Sequence, residues 1–97
     1  MRWIVLFEDA PAMQQVRRQY EADHIAYLRA HAAEILIAGG LREGPDAGFA
    51  GELWVLDVSS RERACELAEQ DPYFVHGRRP YRVLQWGKAL PDIEARL

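Results

Sequence analysis

The apolar positions along the chain change period several times, and each change marks an element. RWIVLFED at 2–9 is dense in β-branched and aromatic residues and stops at Asp9-Ala10-Pro11, which predicts a strand. Residues 11–32 hold neither a glycine nor an internal proline. Met13, Val16, Tyr20, Tyr27 and Leu28 recur there at helical spacing, which predicts one long helix that need not be straight. EILIAGGLRE at 34–43 reads as a second strand that weakens at Gly39-Gly40, and GPDAGFAG at 44–51 is turn chemistry. ELWVLDV at 52–58 is a third strand. Ser59 or Ser60 then caps a helix running to Gln70, with Ala64, Leu67 and Ala68 as a modest apolar face. After DPYFVHGRRP, the stretch YRVLQWGKAL at 81–90 predicts a fourth strand, and 91–97 form a short tail.

The order β-α-β-β-α-β with right-handed crossovers puts both helices on one face of a single sheet. The economical solution is α+β, a ferredoxin-like sandwich whose antiparallel sheet runs 4-1-3-2 in space. One domain is expected over 1–97, with its core in 1–90. Alternation puts Trp3, Val5 and Phe7 on one side of the first strand and Ile4 and Leu6 on the other. In the third strand Leu53 and Val55 oppose Trp54, Leu56 and Val58. Both faces of the central strands are therefore apolar, and two helices cover only one of them. A second copy packed sheet to sheet is the simplest cover for the other, so a homodimer is expected.

Composition narrows the function classes. The net charge of −3 gives no electrostatic reason to expect nucleic acid or an anionic membrane as partner. No apolar run reaches the length of a membrane span, and the N-terminus lacks the apolar region of a signal peptide. Cys65 is the single cysteine, and neither a CxxC pair nor zinc spacing occurs, so no metal and no cofactor are expected. These features read as a cytoplasmic protein.

Two ionisable residues stand out. His24 shares a helical stripe with Tyr20, Tyr27, Leu28 and His31, and that stripe faces the protein. A titratable group on such a stripe needs a partner or shifts its pKa. Its ordinary role would be a hydrogen-bonded packing histidine. Asp71, followed by Pro72, has an ordinary role too, as the cap of a short helical turn. No other acid looks as well placed to meet His24, because its neighbour Asp23 points about 100° away around the helix. His31, near the helix end, and His76, in a polar loop, are weaker candidates. Cys65 reads as a small buried filler, and the charges of RERACE and RRP read as solvated surface.

One ordered set of motifs spans residues 1–90. His24 is followed by AYLRAH, then AGG at 38–40, G-x-L-W-V at 51–55, DPY at 71–73 and VLQW near the end. This set resembles the YCII-related (YciI-like) domain family. The resemblance implies a small ferredoxin-like domain that dimerises through its sheet and holds a His–Asp pair in a cleft, which maps here to His24 and Asp71. Some relatives in that family look like lyases that remove halide from chlorinated aromatic diols. Others are of unassigned activity or occur beside transcription factors.

On this reading Asp71 orients the imidazole, and His24 acts as general acid or base on a small molecule. Gly39, Gly40 and the 44–51 loop let a substrate approach the backbone, and Tyr20, Tyr27, Phe49, Trp54 and Tyr73 are candidate aromatic walls. No serine or cysteine is placed as a nucleophile, which favours elimination or isomerisation over acyl transfer. Two classes stay open: an enzyme of this kind, and a non-catalytic ligand-binding or accessory dimer in which the pair only closes a polar contact.

Overall fold

Seven elements follow one another in the computed structural model, which describes residues 2–97. They are β1 (Arg2–Glu8), α1 (Met13–Ala30), β2 (Ile35–Leu41), β3 (Gly51–Asp57), α2 (Arg61–Gln70), α3 (Pro72–Gly77) and β4 (Tyr81–Gln85). The strands form one antiparallel sheet in the order β2-β3-β1-β4, the expected ferredoxin-like arrangement read from its other edge. β4 is shorter than its apolar pattern suggested and ends at Gln85; residues 86–97 carry no regular element, and Trp86, Leu90, Ile93 and Leu97 are exposed.

Local chemistry explains the element boundaries. Ser60, rather than Ser59, caps α2, its side chain accepting from the Arg63 N–H at 3.1 Å. α1 departs from helical geometry at Tyr20 (φ −117°, ψ 17°), and the Tyr20 ring stacks on His76 with centroids 3.6 Å apart. α3 starts on Pro72 at its first turn, where no N–H is needed. It ends at Arg78, whose left-handed conformation (φ 52°) reverses the chain while its N–H closes on the Phe74 carbonyl at 2.8 Å.

The core lies between the sheet and the helices. Val5, Phe7, Ile35, Trp54, Leu56 and Val83 meet Ala64, Leu67 and Ala68 of α2, with Tyr27 and Leu28 of α1 packed against them. Phe7 meets Trp54 edge to face at 4.9 Å. Each large side chain buried there stabilises the fold by roughly 1.5–3 kcal/mol. Cys65 is half-buried at the margin of this core rather than inside it. β2 bulges between Ile35 and Ile37, so these two residues face opposite sides: Ile35 pairs with Leu56 on the helix side, and Ile37 with Val55 on the other.

The second face of the sheet carries Ile4, Leu6, Leu53 and Val55. Ile37, Leu41 and Leu84 on the same face are 48%, 38% and 39% exposed. No helix of the described residues is long and apolar enough to cross a membrane.

Candidate functional site

The site forms where the second half of α1 crosses the sheet near the start of β3 and the α2–α3 junction. His24, on the inward side of α1, is 4% exposed. Its Nδ1 lies 2.6 Å from Oδ1 of Asp71. Its Nε2 lies 3.0 Å from Oε2 of Glu52, at the start of β3. Its ring stacks on Tyr73 at 3.8 Å. Burial alone would lower the imidazole pKa, but the hydrogen bonds and charges of Asp71 and Glu52 outweigh it and hold it above the ordinary 6.5. Geometry points the same way. A neutral imidazole has one N–H and one lone pair, whereas here both nitrogens face carboxylates, so the imidazolium satisfies both bonds.

Glu52 was not singled out by the motif reading, yet it is an acid as well placed as Asp71. It shares the inward face of β3 with Trp54 and Leu56, and its one-in-two alternation with them was the legible signal. Trp54 Nε1 donates to Glu52 Oε2 at 2.9 Å, and Arg79 Nη2 donates to Oε1 at 2.7 Å. Burial pushes the Glu52 carboxyl up, but the bonds and charges of His24 and Arg79 overcome it and bring the pKa down from 4.5 to about 2.

Arg79 corrects the reading of RRP as solvated surface: it is 2% exposed, while its neighbour Arg78 faces water. Besides Glu52, it donates to Asp9 Oδ1 at 3.0 Å and approaches Asp71 Oδ2 at 3.5 Å. Arg17 closes the other side of Asp9, with Nε 2.7 Å from Oδ2, and its Nη2 donates to the Gly51 carbonyl at 2.9 Å. Three carboxylates, Asp9, Glu52 and Asp71, thus meet two guanidiniums and His24, and the cluster is electrically neutral when His24 is protonated. Asp71 is fully buried, and its side chain makes no capping bond to α3. The charged partners take the carboxylate, because charge-assisted bonds exceed a neutral cap in strength.

A cleft of about 190 Å³ opens onto this cluster, lined by Arg17, Glu21, His24, Ile25, Leu28, Ala38, Gly39, Gly40, Phe49, Glu52 and Tyr73. Gly39, Gly40, Phe49 and Tyr73 therefore border it together with His24. Tyr20, Tyr27 and Trp54 do not. Tyr20 stacks on His76, the Tyr27 hydroxyl donates to the Leu67 carbonyl at 2.7 Å, and Trp54 is wholly inside the core. Gly40 matters sterically. A Cβ there would lie 2.4 Å from ring atoms of Phe49, so glycine lets the ring lie against the strand. The cleft wall is also more charged than an all-aromatic pocket. A larger, shallow groove of about 970 Å³ runs along the solvent face of α1 from Arg18 to Ala30, away from the ionic cluster.

The strand order and the buried imidazole–carboxylate–guanidinium cluster beneath a small cleft define a class: a ferredoxin-like α+β protein with a small-molecule-sized cavity on the helix side of its sheet. The chain matches the YCII-related domain family over residues 1–87 and belongs to that family. Among solved structures it is similar to 5-chloro-2-hydroxyhydroquinone dehydrochlorinase from Burkholderia phenoliruptrix AC1100, solved in complex with 2,5-dihydroxybenzoquinone. That match has 24% identity and a TM-score of 0.79, and covers 90% of this chain and 94% of the other. It is also similar to protein Atu4242 from Agrobacterium tumefaciens, with 14% identity, a TM-score of 0.50, and coverage of 94% and 98%. At these identities the likeness is one of fold. No curated protein matches the chain.

Proposed function

We propose that the chain is an enzyme of proton-transfer chemistry, a lyase acting by elimination or an isomerase, on a small aromatic molecule, with His24 as general acid–base and Asp71 as the residue that orients it. The observation that carries this reading is the 2.6 Å contact between His24 Nδ1 and Asp71 at the floor of a ligand-sized cleft. A cavity of about 150 Å³ already holds benzene, so a cleft of about 190 Å³ suits one substituted ring. The likeness in fold to a dehydrochlorinase supports the same reaction class. In the resting site the imidazolium is the acid. Its Nε2 proton, shared with Glu52, passes to a substrate oxygen or leaving group and is recovered from the substrate later in the cycle. Such positioned proton transfer contributes about 10²–10⁴-fold in rate.

The working form on this reading is a homodimer joined through the second face of the sheet, which the exposure of Ile37, Leu41 and Leu84 supports. Halide release from chlorinated hydroxyhydroquinones tests the activity. Wild type should release chloride, and His24→Asn and Asp71→Asn should be slower by about 100-fold or more. A His24→Asn variant as fast as wild type would end the reading. One observation favours a second reading, a ligand-binding or accessory domain without catalysis: both imidazole nitrogens already hold carboxylate partners. Ligand binding with no turnover of any chlorinated or hydroxylated aromatic would select it.

A further inference from the structure

The two carboxylates that hold His24 share a further partner. Asp71 gives Oδ1 to His24 Nδ1 at 2.6 Å and turns Oδ2 to Arg79 Nη2 at 3.5 Å. Glu52 gives Oε2 to His24 Nε2 at 3.0 Å and Oε1 to the same Nη2 at 2.7 Å. One guanidinium nitrogen thus takes the second oxygen of both acids. Arg79 is well fixed for this. It follows the left-handed Arg78 and precedes Pro80, which restricts its backbone to an extended form. Its Nη1 donates to Asp9 at 3.0 Å, and its guanidinium lies 4.1 Å from the Phe7 ring centroid. The side chain is wholly buried, and the cleft is lined by Glu52 and His24 but not by Arg79.

We infer that Arg79 is a positioning residue of the site: by taking the second oxygen of both carboxylates it competes with the imidazolium for them, and so keeps the His24 proton transferable instead of locked between two acids. The inference rests on the acid–base reading of His24 and adds the group that sets how tightly its proton is held. Without Arg79, the three carboxylates face only Arg17 and His24, which leaves one negative charge in excess. An unbalanced buried charge favours the imidazolium, and both carboxylates then turn their full acceptor strength on it. A proton held so tightly makes a poor general acid, because transfer is most effective when the donor pKa lies near the working pH. The other ionisable groups around the imidazole do not take over this task. Arg17 Nη2 stands 3.9 Å from Glu52 Oε1 but donates to the Gly51 carbonyl. Tyr73 stacks on the ring and sends its hydroxyl to the Arg17 carbonyl, and Glu21 is exposed at the rim of the cleft.

The test is an NMR titration of the His24 imidazole in the full chain, which needs no turnover. Arg79→Met should raise the His24 pKa by about one unit or more, a roughly ten-fold tighter hold on the proton. With a chlorinated hydroxyhydroquinone as substrate, the pH profile of kcat should move by the same shift. kcat at neutral pH should fall while KM stays as it was, because Arg79 does not line the cleft. An unchanged or lowered His24 pKa in folded Arg79→Met protein overturns the inference. If that variant does not fold, Arg79→Met combined with Asp9→Asn leaves the remaining charges matched, and the asparagine oxygen still accepts from Arg17. A rise of the same sign is expected there, since the Asp9 carboxylate bonds to the two arginines and not to His24, and its absence overturns the inference equally. Because the readout is a proton affinity, a protein that shows the raised pKa but turns nothing over refutes only the catalytic reading. One that turns over substrate while its His24 pKa is indifferent to Arg79 refutes only the role given to Arg79.

Discussion

Replacing Glu52 with glutamine removes one charge from the centre of the buried cluster and leaves the shape almost unchanged. The carboxylate is held by His24, Arg79 and Trp54, and these bonds bring its pKa from 4.5 to about 2. At about 1.4 kcal/mol per unit, the ionised form supports folding by about 3 kcal/mol at neutral pH. Glutamine forfeits that support. It also turns an N–H₂ toward one of three donors, which leaves a buried donor unpaired. The expected loss is therefore about 3 kcal/mol or somewhat more, or a fall in Tm of about 12–24 °C for a chain of this size. The sign with pH follows from the depressed pKa. The stabilisation is complete above 4.5 and fades as pH falls toward about 2, so wild type and variant should converge across that window. Urea unfolding at neutral pH and at several points in the acid window measures both effects. A difference below about 1 kcal/mol at neutral pH, the scale of an ordinary surface substitution, or one that does not shrink in acid, would refute the charge cluster as described.

Three further outcomes are expected. Asp71→Asn should lower the His24 pKa in an NMR titration, because one of the two carboxylates that raise it is gone. The stability contributed by that raised pKa is present below 6.5 and lost as pH rises through the folded value, so the variant should lose stability chiefly on the acid side of neutrality. Gly40→Ala drives a methyl group to 2.4 Å from the Phe49 ring and should cost about 1–3 kcal/mol in thermal unfolding. Ile37→Lys places a charge on the apolar second face of the sheet, and sedimentation equilibrium should then show monomer where wild type is a dimer; a wild-type monomer would remove the dimer proposal.

The alternation of RWIVLFE and ELWVLD, the glycine-free run before and after His24, and the turn chemistry at 44–51 were enough to give the order of the four strands and the two longer helices, though not the short helix α3, and handedness then gave the sheet order. His24 was legible because a titratable side chain broke an apolar helical stripe, and Asp71 because Asp-Pro marks a fixed turn. These are local signals, carried by neighbours within a turn or two; that the two residues form a pair was implied by the resemblance to the YCII-related family. Only the tertiary structure joined Asp9, Arg17, Glu52 and Arg79 to them. Arg79 lies 70 residues from Asp9 and 27 from Glu52 in the chain, and no periodicity links positions so far apart. The crossover geometry and strand register bring them together. The bulge in β2 likewise reversed the side on which Ile37 falls, which simple alternation with Ile35 would not show. Whether a charged residue such as Arg79 points into water or into the protein depends on what waits for it there. Three buried carboxylates can offset the cost of desolvating one guanidinium, and their meeting is decided by the fold as a whole.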